Sequence, residues 1–139
     1  MLLVHPGGPA WSGRDLGAWS IPKGEYEPDE DPLAAARREF AEELGSAPPA
    51  GPVADLGEIR QRSGKLVRAW ALAGDLDAST ISSNRFELEW PPRSGRMIEI
   101  PEVDRAEWFR VGEAREKINV GQVPLLDRLE KLEPSAAER

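Results

Sequence analysis

The sequence predicts an α/β fold, and three observations carry that prediction. Short apolar or alternating runs recur along the chain, clearest where Val67, Ala69 and Ala71 alternate with Arg68 and Trp70; a period of two is the mark of a strand. Residues 33–44 contain no helix breaker and include Ala34, Ala35, Ala36 and Ala41, all strong helix formers. Residues 123–132 place Leu125, Leu126, Leu129 and Leu132 along one side of a helix. The order strand, helix, several strands, helices is that of a layered α/β domain.

The elements follow in order. Leu2-Leu3-Val4-His5 reads as a short apolar strand, broken by Pro6-Gly7-Gly8-Pro9. The polar loop 10–16 contains Trp11, Arg14 and Asp15, and Trp19-Ser20-Ile21 is a short strand running into Pro22-Lys23-Gly24. Pro28 and Asp29 form a turn. Glu30-Asp31-Pro32 then opens the helix, where proline and acidic residues suit the first turn. Gly45 stops it, and Leu33, Arg37, Phe40 and Leu44 form its expected packing side. Residues 47–52 (APPAGP) make a stiff connector. Strands are expected at 53–60 and 65–72, joined by Arg62-Ser63-Gly64, and at 85–90, 97–100 and 105–109. Residues 74–84 read as a loop with a weak strand or turn. A short helix is expected at 112–118, a final one at 123–132, and a frayed tail at 133–139. No internal repeat divides the chain, so residues 1–139 are expected to form a single domain.

Residues 24–46, GEYEPDEDPLAAARREFAEELGS, carry the chemistry. On a helix Glu39, Glu42 and Glu43 are related by i,i+3 and i,i+4 and project from one face. Three carboxylates so placed repel one another unless a cation sits among them, and oxygen ligands suit Mg²⁺ or Mn²⁺. The alternative is a solvated acidic helix. The glycines and Arg38 fall in register with the acids, and the segment resembles the Nudix box of the MutT-like Nudix hydrolase superfamily. The match comprises Gly24, Glu30, Arg38, Glu39, Phe40, Glu42, Glu43 and Gly45. The one departure is Ser46, where an aliphatic residue is usual.

The resemblance extends over most of the chain and implies a Nudix-type α/β/α sandwich around a mixed β-sheet. That fold usually has another strand before Leu2. Either this version dispenses with it, another chain supplies an equivalent, or the native start lies upstream of Met1. An open sheet edge there would favour a homodimer. The resemblance also implies hydrolysis of a diphosphate bond in a nucleoside diphosphate linked to another group. In that chemistry a bound Mg²⁺ offsets phosphate charge and activates water. Metal ligands on this reading are Glu42, Glu43 and the Gly24 carbonyl, with Glu39 assisting or acting as base. Arg38 holds neighbouring glutamates in place, and Glu30 supports the loop. Glu87 or Glu89 would add a ligand or a base; otherwise they are exposed strand positions. For substrate, Lys23 contacts phosphate or is a solvated turn lysine. Trp90 stacks on a base or anchors packing, and Arg93 binds phosphate.

The chain most resembles bacterial proteins described as predicted NTP pyrophosphohydrolases. A dinucleoside polyphosphate hydrolase is the alternative, although Tyr26 is the only tyrosine, so the downstream Tyr of many such enzymes is missing. The proline of many ADP-ribose hydrolases and the SQPWPFP array of NADH pyrophosphatases are missing too. A non-catalytic nucleotide-binding domain is the third reading, and an intact box argues against it. The net charge of −7 disfavours general nucleic-acid binding. The absence of Cys excludes thiol chemistry and fits a cytoplasmic protein, and a single His, His5, excludes mechanisms needing two. No apolar run reaches membrane-spanning length and no signal peptide is recognisable.

Overall fold

The structure, a computed structural model, describes residues 1–23 and 28–132. Its organising element is β1 (Leu2–Pro6), an apolar strand buried on both faces. Successive strand residues point to opposite sides. Leu3 joins Trp19, Phe109, Ala114, Ile118 and Leu126 on one side, and Val4 joins Leu44, Val103 and Ala106 on the other. The first side is covered by α2 (Val111–Lys117) and α3 (Val123–Glu130), the second by α1 (Pro32–Leu44). These are the three layers of the expected α/β/α sandwich.

The remaining strands are β2 (Val53–Arg60), β3 (Leu66–Leu72), β4 (Arg85–Glu89), β5 (Met97–Pro101) and β6 (Val103–Trp108). They form three antiparallel ladders, β1 with β6, β2 with β3, and β4 with β5. In the first, Val4 faces Ala106. Among the described residues the parallel component is a bridge between Trp19 and Ile118, so the expected strand 19–21 is only a two-bridge stub. Pro101 ends β5 and Pro6 ends β1, and neither has an N–H to extend a ladder. The chain therefore bends at Glu102 as it passes from the partner of β4 to the partner of β1, and the β1–β6 register shifts between His5 and Pro6. The other edge of β1 is met at Val4 by Ser20, with Val4 N to Ser20 O at 2.8 Å and Ser20 N to Val4 O at 3.0 Å.

α1 is set by local signals. Asp31 caps its start, accepting from the Ala34 N–H at 2.9 Å, and Pro32 takes the first turn. Gly45 ends it at φ 78°, a left-handed conformation that favours glycine. The terminal carbonyls find partners: Gly45 N donates to Ala41 O, Asn84 N to Glu42 O and Ser82 N to Leu44 O. Leu44 is fully buried and Phe40 packs beside it, but Arg37 is exposed, contrary to its expected place on the packing side. The buried stripe is turned toward Ala35 and Glu43 instead. On α3, Leu126 enters the cluster around Trp19, and Leu125 packs on Ile59, Val67 and Ala69. α3 thereby joins the β2–β3 hairpin to the central strand. Arg128 Nη1 secures that joint, donating to Leu56 O at 2.8 Å and Glu58 O at 3.0 Å. No helix of the described residues is long and apolar enough to cross a membrane.

Candidate active site

The turned stripe of α1 creates the site. Glu43 is only 9 % exposed, and its Oε2 accepts from the Lys23 backbone N–H at 3.2 Å. It lies at a cleft of about 590 Å³ whose lining also includes Glu39, Glu42, Lys23 and Glu102. Burial pushes the Glu43 carboxyl up to about 8. The Lys23 N–H works against this, and the Glu39 and Glu102 carboxylates add to it.

Arg38 organises the outer side of the cluster. Its Nε and Nη2 donate to the two oxygens of Glu30, each at 3.1 Å, a bidentate pair. Its Nη1 donates to Glu39 at 2.9 Å and Glu42 at 3.3 Å. Arg38 thus ties Glu30, Glu39 and Glu42 together. Among the described residues, no group of three or more His, Cys, Asp or Glu side chains is placed to hold a metal ion. Gly24 lies outside the described residues. The donor set still fits a hard divalent cation. The side chains that would hold it are all carboxylates, and buried Glu43 feels the negative charge of Glu39 and Glu102, opposed by the Lys23 ammonium.

The family is decided by a profile of the NUDIX domain, which matches residues 1–129. The chain belongs to the Nudix family. Its fold is similar to the solution structure of the E. coli ORF135 protein, with 25 % sequence identity and a TM-score of 0.60 over 94 % of this chain and 79 % of that chain. No curated protein matches it. Nudix domains hydrolyse nucleoside diphosphate derivatives, which places the chain among hydrolases of pyrophosphate bonds.

The other sequence candidates lie elsewhere on this Nudix fold. Glu87, Glu89, Trp90 and Arg93 are absent from the cleft lining. Glu87 faces Glu99 across the β4–β5 ladder, and Glu89 accepts from the Arg93 N–H at 2.7 Å, closing the hairpin turn. The later carboxylate that does reach the cleft is Glu102, at the bend between β5 and β6. Asn84 places it there: the Asn84 N–H holds the Glu42 carbonyl, and its own carbonyl accepts from Glu102 N, both at 2.9 Å. Gln122 is a second residue that carries no signal in the sequence. It is fully buried, accepts from Ile21 N at 3.1 Å, and donates to Ser20 Oγ at 3.0 Å and Gln61 Oε1 at 3.3 Å. It fixes the stub that leads to Lys23.

A pH dependence follows for protein stripped of metal. The folded state holds the Glu43 proton up to about 8, above the ordinary 4.5. The folded chain therefore binds more protons between those values, and stability falls as pH rises through that window. Its contribution is fully present below 4.5 and lost above 8. Urea unfolding in EDTA at pH 5 and pH 8.5 should show a loss on the order of 4 kcal/mol, which Glu43→Gln removes. Equal pH slopes in the two proteins would contradict this assignment.

Proposed function

We propose that the chain is a metal-dependent pyrophosphohydrolase of nucleoside triphosphates or closely related nucleotides. The observation that carries this reading is the buried Glu43 carboxyl, sharing one nucleotide-sized cleft with Glu39, Glu42 and Glu102. Glu42 and Glu43 would hold Mg²⁺, for which Mn²⁺ would substitute, with the Gly24 carbonyl and Glu39 assisting. The cation supplies charge neutralisation at the diphosphate and acidifies a water. Glu39 would accept the proton of the attacking water as its oxygen bonds to phosphorus and the bridging P–O bond to the leaving phosphate breaks, while Arg38 Nη1 holds Glu39 in orientation. Lys23, in the cleft wall, offers its ammonium to a phosphate oxygen. Glu102 adds a further carboxylate to the same cleft.

A second reading, dinucleoside polyphosphate hydrolysis, has one observation in its favour. A smaller cavity of about 280 Å³, with Arg62 and Ser63 in its wall, shares Gln61 and Asn119 with the main cleft. A longer substrate could occupy both.

The test is release of phosphate or pyrophosphate from a nucleotide panel with and without Mg²⁺. The panel holds canonical and oxidised NTPs, dinucleoside polyphosphates, ADP-ribose and NADH. Metal-dependent turnover of NTPs supports the leading reading; preference for dinucleoside polyphosphates moves it to the second. Silence from folded protein removes both. Among carboxylate variants, Glu102→Gln should lower kcat/KM about 10- to 100-fold, the range for groups that support a metal site. Glu87→Gln and Glu89→Gln should stay within about threefold, since surface changes away from the site act weakly. The reverse order would move the added carboxylate from Glu102 to β4.

A further inference from the structure

We propose that Trp11 is the platform on which the nucleobase of the substrate stacks. The inference rests on the nucleotide hydrolase reading above and adds to it the group that tells a nucleotide from other diphosphates.

Trp11 lines the same cleft as Glu39, Glu42 and Glu43, and is 37 % exposed. Compare Trp19, eight residues later, 1 % exposed and enclosed edge-to-face by His5 and Phe109. One tryptophan builds the core; the other is kept out of it. The loop that carries Trp11 is nevertheless firmly anchored. Trp11 N donates to Gly8 O at 3.2 Å, and Arg14 N donates to Trp11 O at 3.1 Å. His5, buried beneath, donates from Nε2 to the Arg14 carbonyl at 2.7 Å, and its Nδ1 lies 2.9 Å from Asp104. Asp15 accepts from Trp19 Nε1 at 2.8 Å and from Lys117 Nζ at 2.5 Å. A large indole on a fixed loop at a cleft is pre-organised for a flat ligand, because little conformational freedom remains to be lost on binding.

The ligand chemistry follows. The carboxylate end of the cleft suits metal and phosphate, and Trp11 supplies an aromatic face. The Arg14 guanidinium lies 5.7 Å from the indole centroid, so a cation already supports the ring. A base stacks on an indole whatever its hydrogen-bonding edge, so this contact selects for a nucleobase without selecting which one.

The experiment measures binding by calorimetry with Mg²⁺ and two non-hydrolysable probes, α,β-methylene-ATP and methylenediphosphonate, which has no base. Trp11→Ala should weaken the nucleotide analogue tenfold or more and leave methylenediphosphonate unchanged. Trp11→Phe, which keeps an aromatic face, should restore most of the affinity. Equal weakening of both probes, or of neither, overturns the stacking role. The two readings fail separately. Turnover of the nucleotide panel with no Trp11→Ala effect on analogue binding leaves the hydrolase and removes the platform. Base-dependent binding lost in Trp11→Ala, without turnover of any nucleotide, keeps the platform and removes the hydrolase. Absence of analogue binding to the wild-type protein overturns the platform outright.

Discussion

Glu43→Gln should abolish metal-dependent turnover while leaving the protein folded. The two side chains are nearly the same size, and Glu43 is a buried residue of the last turn of α1, so packing is preserved. What is lost, on the proposed function, is a carboxylate ligand of the cation. A bound cation is worth several kcal/mol at the transition state, so kcat should fall on the order of 10³-fold or more. Mg²⁺ affinity, followed by titration calorimetry, should fall with it. Two features separate this outcome from general damage. The amide needs no proton to be neutral, so the metal-free variant should be at least as stable as wild type at pH 8. The Lys23 N–H keeps an acceptor in the amide oxygen of the substituted side chain, so the cleft wall stays in place. Wild-type turnover in this variant would remove Glu43 from the metal site.

The parts of this site that were legible in the sequence are the local ones. Asp31, Pro32 and Gly45 mark the ends of α1, and their capping effects act within one turn. The spacing of Glu39, Glu42 and Glu43 needs only the helical period. Arg38 and Glu30 are eight residues apart and meet because that helix and its cap bring them together. The alternation that marked β3 and β4 is equally local. What periodicity cannot state is which strand lies beside which, since pairing register is a long-range outcome of packing and turn geometry. Glu102 shows the consequence. It follows a strand, carries no motif, and reaches the cleft only because Pro101 ends β5, Asn84 holds its backbone and β6 pairs with β1. Glu87 and Glu89 had the more regular pattern, and that regularity placed them on a hairpin ladder. Trp11 was hidden for a related reason: in a polar loop an aromatic has no period to announce its direction.

The same long-range dependence makes Gly7→Ala the most disruptive glycine-to-alanine change expected among the described residues. Gly7 follows β1 and donates its N–H to the Glu102 carbonyl at 3.0 Å. A Cβ at this position would stand 2.1 Å from the Pro101 carbonyl oxygen and 3.1 Å from both the carbonyl carbon and Cγ of Pro101. The nearest of these atoms is backbone, so no rotamer change relieves the contact. Either β1 withdraws from β6 or the bend at Pro101 and Glu102 moves outward. Overpacking of this kind costs about 3 kcal/mol, which for a chain of this size lowers Tm by roughly 10 °C. Because the bend carries Glu102, residual activity in the folded fraction should fall at least as far as in Glu102→Gln. Gly112→Ala is the control. Gly112 sits in α2 with nothing within 4 Å of an added Cβ, and alanine is the better helix former by about 1 kcal/mol. That variant should be as stable as wild type or slightly more so. If both variants melt with the wild-type protein, the close approach of Gly7 to the β5–β6 bend is not what positions Glu102. If only Gly7→Ala melts early and loses activity, the missing methyl group at the end of β1 is what lets the bend hold Glu102 at the cleft.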